Sequence, residues 1–245
     1  MKNWMASRRG ISAPPVWIIT AMLVAAALMG IKTAAAAHSR AADTSLFSPE
    51  TGSFRIMVNG QQVGKEEFRV LSNGANWFVR GATDIQSPKG STHVTGTLML
   101  QPDGTPIHYE WATQGAKKAS AKVDFNGPVA TIELHVGSAH PFTQQFTFPS
   151  ARIAVLDNNL YDQYAILAHL YDWNKKGAQT FPVLVPQEMT PGSATVESMG
   201  KQDVDGKQLE ELRVTTEDNE IDLYLDGSRL VRISVPSANA EIIRD

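Results

Sequence analysis

The chain has 245 residues, no cysteine and a formal net charge of −3. Four of its 22 basic residues and none of its 25 acidic residues precede His38, so residues 38–245 carry a net charge of −7. An acidic chain without a basic cluster lacks the features of a phosphate-backbone binder, so nucleic acid is not an expected partner. The missing cysteine excludes disulfides, thiol catalysis and a lipid anchor on an N-terminal cysteine. Stability must therefore come from packing.

The first 37 residues predict an export signal. Lys2, Arg8 and Arg9 form a basic start, and Val16 to Ile31 is an uncharged apolar run, shorter than the ~20 residues of a membrane span. Small residues follow, which places the expected cleavage near Ala36-Ala37. We therefore expect a periplasmic or secreted protein without a stable membrane span in its mature form.

Two points of this prediction stay open. The segment Ser7 to Ile11 resembles a twin-arginine export motif, although paired arginines are also common in general secretory signals. An uncleaved N-terminal anchor is the alternative to a cleaved signal peptide.

The rest of the chain predicts one β-rich domain. A small polar linker, residues 38–51, precedes apolar alternation that recurs every ten to fifteen residues over residues 52–245, and Asn59-Gly60 marks the first of several hairpin turns. About a dozen strands are predicted, and a flat open sheet of that size is expected to curl or close. The expected fold is mainly β: a strongly curved antiparallel sheet or incomplete β-barrel. The predicted strands are Phe54 to Val58, Val63 to Val70, Trp77 to Ile85, Thr92 to Leu100, Ile107 to Thr113, Ala119 to Phe125, Val129 to Val136, Phe142 to Phe148, Thr195 to Met199, Leu209 to Thr215, Ile221 to Leu225 and Leu230 to Val235.

One segment has the period of a helix. Asn158 or Asn159 is a candidate cap for a helix from Leu160 to Trp173, with Gly177 as the stop. Apolar side chains cover most of this helix, so we expect it to pack in the concavity of the sheet. The apolar segment Phe181 to Pro186 is predicted to be a loop beside the helix.

A search for catalytic motifs is mostly negative. The sequence has no G-x-S-x-G, no H-E-x-x-H, no phosphate-binding glycine loop and no dinucleotide fingerprint, so no cofactor is expected. The histidines lack a diagnostic metal-ligand spacing, and no metal site is predicted. The histidines are His38, His93, His108, His135, His140 and His169.

Adjacent carboxylates provide a weaker catalytic hypothesis. Neighbouring residues of a strand point to opposite faces, so only one member of Glu66-Glu67 and one of Glu210-Glu211 can face inward. A hydrolase that uses an inward Glu66 with a histidine such as His93 is the least favoured of three functions.

Aromatic residues concentrate in the central strands and the helix. Such residues usually form a core, but a curved sheet with a helix above it can also hold an apolar ligand. No catalytic residue is assigned. The candidate ligand-binding residues are Trp77, Trp111, Phe146, Tyr164, Leu167, Tyr171 and Trp173.

Several segments together resemble an uncharacterised family of exported bacterial domains. The opening hairpin Phe54 to Phe68, the helix, the Pro186 segment, the strand Leu230 to Pro236 and the tail Ile242 to Arg244 carry the resemblance. The family is similar in expected architecture to the periplasmic lipoprotein carriers, in which a curved sheet and helices enclose a lipid-sized cavity. The resemblance implies a half-barrel.

The leading hypothesis is an exported, non-enzymatic binding protein that holds a lipid, acyl chain or other hydrophobic molecule between sheet and helix. The alternative is a structural or interaction module with a packed core, whose partner is another protein of the cell envelope.

Overall fold

The computed structural model describes residues 45–88, 90–115 and 118–245. The predicted export signal and cleavage site lie outside these residues, as do His38 and the first part of the expected linker. The strands are Glu50–Val58 (β1), Gln61–Ser72 (β2), Trp77–Ser87 (β3), Gly90–Leu100 (β4), Pro106–Gln114 (β5), Ala119–Asn126 (β6), Val129–Val136 (β7), Phe142–Thr147 (β8), Ala154–Val155 (β9), Gln179–Val185 (β10), Thr190–Val204 (β11), Lys207–Thr215 (β12), Glu220–Asp226 (β13), Arg229–Val235 (β14) and Ala240–Arg244 (β15).

These strands form one large, curved and unclosed sheet in the order β8-β7-β6-β5-β4-β3-β2-β1-β15-β14-β13-β12-β11-β10-β9. Strands β1 to β8 form one antiparallel meander and β10 to β15 form a second. The two meanders join where β1 pairs with β15, with Phe54 opposite Arg244. The first and last strands of the domain therefore lie side by side in the middle of the sheet.

Side chains alternate between the two faces as the sequence predicts. In β2, Glu66, Phe68 and Val70 are buried while the residues between them are exposed. The turn between β1 and β2 has Asn59 and Gly60 at φ +51° and +76°, which is the backbone of a type I′ hairpin. The antiparallel β prediction is confirmed.

The described residues form a sheet of fifteen strands, where the sequence predicts about twelve. Strand β10 covers most of the segment predicted to be a loop. Its Pro182 pairs with Ser193 of β11, and the other edge of β10 is bordered only by the two-residue strand β9. A proline is tolerated in a strand where no neighbour needs its N–H. The short strands β9 and β15 were missed because five residues or fewer give little alternation to detect.

The helix α1 runs from Asp162 to Leu170, shorter at both ends than predicted. It contacts β3, β9 and β14, and seven of its nine residues are buried. Asn159 adopts a left-handed φ of +64° before the helix, so neither it nor Asn158 is the cap. Over the described part of the chain, no helix is long and apolar enough to cross a membrane.

Candidate ligand-binding site

The N-terminal end of α1 rests on two glycines of the sheet. Gly81 in β3 and Gly96 in β4 are directly opposite each other on the inner face. A β-carbon on Gly81 would lie 2.9 Å from both carboxyl oxygens of Asp162, and one on Gly96 would lie 2.6 Å from Leu160 Cδ1. Only glycine leaves room for this approach, so the pair fixes where the helix begins.

Glu66 of β2 caps the helix. Its carboxyl oxygens accept hydrogen bonds from the backbone N–H of Tyr161 at 3.0 and 3.1 Å and of Asp162 at 3.3 Å. These donors have no partner within the helix, and a buried acceptor is needed to satisfy them. The cap thus comes from a strand 95 residues away in sequence, instead of from the local asparagines that the sequence suggests.

Glu66 and Asp162 form a buried carboxyl pair. Both side chains lie over Gly81, and an added β-carbon there would be 2.8 Å from Glu66 Oε1. Burial, followed by the charge of Asp162, raises the pKa of Glu66 well above its ordinary value, and burial also raises the pKa of Asp162. Asp162 Oδ1 has no hydrogen-bond donor among the described residues. The raised pKa of Glu66 favours a protonated carboxyl group there, because two adjacent buried carboxylates would repel each other.

A second buried carboxyl group fixes the segment before the helix. Asp157 accepts hydrogen bonds from Tyr109 OH and from the backbone N–H of Gln187, each at 2.8 Å, and its own N–H donates to Gln163 Oε1. Burial raises the pKa of Asp157 from 3.8 to about 7. These bonds join β5, the helix and the turn after β10, so this end of α1 is fastened on three sides.

The C-terminal end of α1 is arranged differently. The helix stops at Leu170 because Tyr171 takes an extended conformation, with φ −66° and ψ 122°. Gln179 then braces the following loop: its Oε1 accepts from the N–H of Asp172, and its Nε2 donates to the carbonyls of Asp172 and Lys175. The loop is held in place, and it carries Trp173 outwards with 45% of its surface exposed.

Trp173 and Tyr171 line one wall of an open groove of about 800 Å³, which we call the aromatic groove. Their rings meet edge to face with centroids 5.1 Å apart. Met199, which is 41% exposed, faces the same space from β11. Lys176 and Glu210 also line it, and Glu210 is paired with Lys201 at 3.8 Å. The groove therefore combines an apolar wall with a basic residue.

The seven residues predicted to bind a ligand do not form one site. Tyr171 and Trp173 meet in the aromatic groove, while Tyr164 lines a different groove at the other end of the helix. Leu167 lies in the helix and is fully buried, and Trp77 and Trp111 are also core residues. Phe146 is half-buried on β8 at one edge of the sheet.

The histidines take up separate positions. His93, His108 and His135 each contact a carboxylate on the outer face, with Asp84 at 2.8 Å from the first, Asp124 at 2.7 Å from the second and Glu133 at 2.7 Å from the third. His140 is exposed, and His169 packs edge to face on Phe47. Within the described ranges, no three acidic or histidine side chains form a group that could hold a metal.

The structure does not assemble the Glu66–His93 pair that a hydrolase would use. Glu66 lies on the inner face of the sheet, opposite Thr83, whereas His93 lies on the outer face beside Asp84. Of the other carboxylate pair, Glu211 is the buried member and contacts Arg213. Alternation correctly predicts that Glu66 is the inward member of its pair. In the second pair, the buried Glu211 lies on the same face as Arg213 and Asp222, opposite to the core residue Leu212, and alternation does not predict this burial.

Sequence reasoning missed the roles of Asp157, Asp162 and Met199. Two glycines inside otherwise regular strands, Gly81 and Gly96, were the available signal, because a glycine in a strand often marks a close approach by another segment. The position of Met199 could not be predicted, because nothing in its local sequence indicates that it lies beside the loop that carries Trp173.

Comparison with known proteins gives little that bears on function. No protein-family model matches the chain, and no curated protein matches it. Among solved structures, a DUF1089 family protein from Pseudomonas aeruginosa is similar, with a TM-score of 0.47 and 6% sequence identity over 73% of this chain and 91% of that one. Likeness at that level carries no functional argument, so function must be argued from the geometry alone.

Proposed function

We propose that the protein is an exported, non-enzymatic binding protein that holds an apolar or amphipathic molecule, such as a lipid or acyl chain, in the aromatic groove. The observation that carries the proposal is the exposure of two large apolar side chains, Trp173 and Met199, to one groove of about 800 Å³. Ligand sites of small molecules typically have volumes of ~300–1,000 Å³ and mostly apolar walls.

The loop that presents Trp173 supports this function. Gln179 donates two hydrogen bonds to the loop and accepts one from it, and Tyr171 OH donates to the carbonyl of Gly177, so the loop is held in place. A side chain ordered before binding loses little conformational entropy when a ligand arrives, so the exposed indole is arranged for contact.

The charges favour an amphipathic ligand. Lys176 lines the aromatic groove, and the carboxylate of Glu210 beside it is paired with Lys201. A ligand with its apolar chain on Trp173 and Met199 can place a polar or anionic head near Lys176. In the half-barrel expected from the family resemblance, such a ligand would lie at the open end of the helix rather than beneath it.

The test combines native mass spectrometry of the purified protein with displacement of a hydrophobic fluorescent probe. Trp173→Ala and Met199→Ala are expected to weaken probe binding about tenfold, since each removes an apolar contact. Leu71→Ala is the matched control, because Leu71 is as exposed as Met199 but lies on β2 outside the groove. Absence of both a co-purified lipid and saturable binding would contradict the proposal, as would an equal effect of the control.

A second candidate is a structural or interaction module of the cell envelope. Its support is the burial of seven of the nine residues of α1, as expected of a helix that is part of a packed core. Such a module needs no small ligand. It predicts that the probe assay finds no saturable site while core substitutions still destabilise the fold.

A further inference from the structure

A second groove lies at the other end of α1, and its charged lining residues are all acidic. It has a volume of about 660 Å³, and we call it the acidic groove. The apolar part of its lining, which we call the floor, is formed by the loop before the helix, the helix itself, and strands β10 and β13; hydroxyl, amide and acidic side chains form the rest of the lining. The floor residues are Leu156, Tyr164, Val183, Val185 and Ile221.

The rim of this groove carries three carboxylates. Glu188 follows β10, and Glu217 and Asp218 form the turn between β12 and β13. All three are exposed, and no ion pair joins them to a described residue. None of the described residues that line the groove is basic. The described residues that line the groove therefore carry a net negative charge.

One side of the rim is fixed before any ligand binds. Asn158 Nδ2 donates to Glu188 Oε1 at 2.7 Å, and Gln187 Nε2 donates to the carbonyl of Asn158 at 3.0 Å. The backbone N–H of Gln187 in turn donates to the buried Asp157. The Glu188 carboxylate is thus held above the floor by a chain of bonds that ends in the core.

We propose that the acidic groove binds an organic cation with an apolar body, for which a long-chain primary amine is the simplest representative. The ammonium group would lie between Glu188 and the Glu217–Asp218 turn, and the chain would lie on Val183, Val185 and the ring of Tyr164. An apolar floor favours the chain, and the carboxylates select the sign of the head group. This site shares no residue with the aromatic groove, so it stands or fails independently of the function proposed above.

The experiment compares three probes of equal chain length on the purified protein, by titration calorimetry below their micelle-forming concentrations. Dodecylammonium is expected to bind saturably, and binding should weaken as salt is raised because exposed charges are screened. Dodecanoate and dodecanol are expected to bind at least tenfold more weakly. Equal binding of dodecanoate or dodecanol would overturn the proposal, as would the lack of saturable dodecylammonium binding.

Variants locate the site. The double variant E217Q/D218N keeps the size of both side chains and is expected to weaken dodecylammonium binding about fivefold or more, with an unchanged thermal midpoint because both residues lie in an exposed turn. The control E67Q/E197Q removes two exposed charges elsewhere and should leave binding unchanged. Equal loss in the control would overturn the proposal, and so would unchanged binding in E217Q/D218N. Loss of amine binding in Trp173→Ala would place the amine in the aromatic groove and also overturn it.

Discussion

The two ends of helix α1 differ in burial and in polarity. At its start, Glu66, Asp162 and Asp157 are all buried, and two glycines allow the chain to lie directly on the sheet. At its end, the chain leaves the helix at Tyr171, and a braced loop turns Trp173 towards solvent. Buried polar groups fix one end in place, whereas the other end exposes a large apolar side chain. Substitutions should separate these roles.

The largest loss of stability is expected in the middle of the helix. Leu167 has no exposed surface, so Leu167→Ala should lower the free energy of unfolding by about 2–5 kcal/mol. Trp173→Ala should cost less than about 1 kcal/mol and change binding instead. Urea denaturation of both variants measures this difference, with Leu71→Ala as the exposed control. Similar losses in Leu167→Ala and Trp173→Ala would mean that Trp173 also contributes to the core.

The next largest loss of stability is expected at Gly81, one of the two glycines on which the start of α1 rests. Gly81→Ala places a β-carbon within 3 Å of the carboxyl oxygens of Glu66 and Asp162, and should destabilise the protein by about 3 kcal/mol. Gly192→Ala is the control, because an added β-carbon there meets no atom within 4 Å. Thermal unfolding of the two variants tests the prediction. An unchanged midpoint for Gly81→Ala would show that the helix start does not rest on this residue.

The buried carboxyl groups predict a smaller effect that depends on pH. The pKa of Asp157 is raised to about 7 by burial, so the folded state holds a proton that the unfolded chain releases near pH 4. Stability from this group is complete at low pH and is lost as the pH rises through about 7. The free energy of unfolding should therefore fall by about 2 kcal/mol between pH 5 and pH 8.

Asp157→Asn tests the origin of that pH dependence, because an amide cannot ionise but still offers an oxygen to Gln187. Its unfolding free energy should change less between pH 5 and pH 8 than that of the wild type. Glu67→Gln, which changes an exposed carboxylate, should keep the wild-type slope. A slope in Asp157→Asn equal to that of the wild type would rule out this assignment.

The sequence predicted the parts of the fold that depend on local patterns. Alternation located most strands, and Asn59-Gly60 located the first hairpin. It also predicted one helix, but not its cap: Glu66 reaches Tyr161 only after two distant segments have packed together. The sequence does not predict strand β10, because prolines argue against a strand. Pro182 is tolerated because β9 pairs only with Val183 and Leu184, so no strand on that side needs the missing N–H of Pro182. The candidate grooves depend on such long-range contacts, so composition could indicate aromatic residues but not which of them meet.

The pairing of β1 with β15 has a consequence for the order in which the domain can fold. Each meander joins neighbours in sequence, but the sheet becomes continuous only when residues about 190 positions apart come together, as in the Arg55–Asp245 ion pair. Contacts over that separation are slow to form. During synthesis from the N-terminus, the edge of β1 that pairs with β15 has no partner until residues 240–244 have been made. The complete sheet is thus a late event, and until then β1 presents an unpaired strand edge to any neighbouring chain.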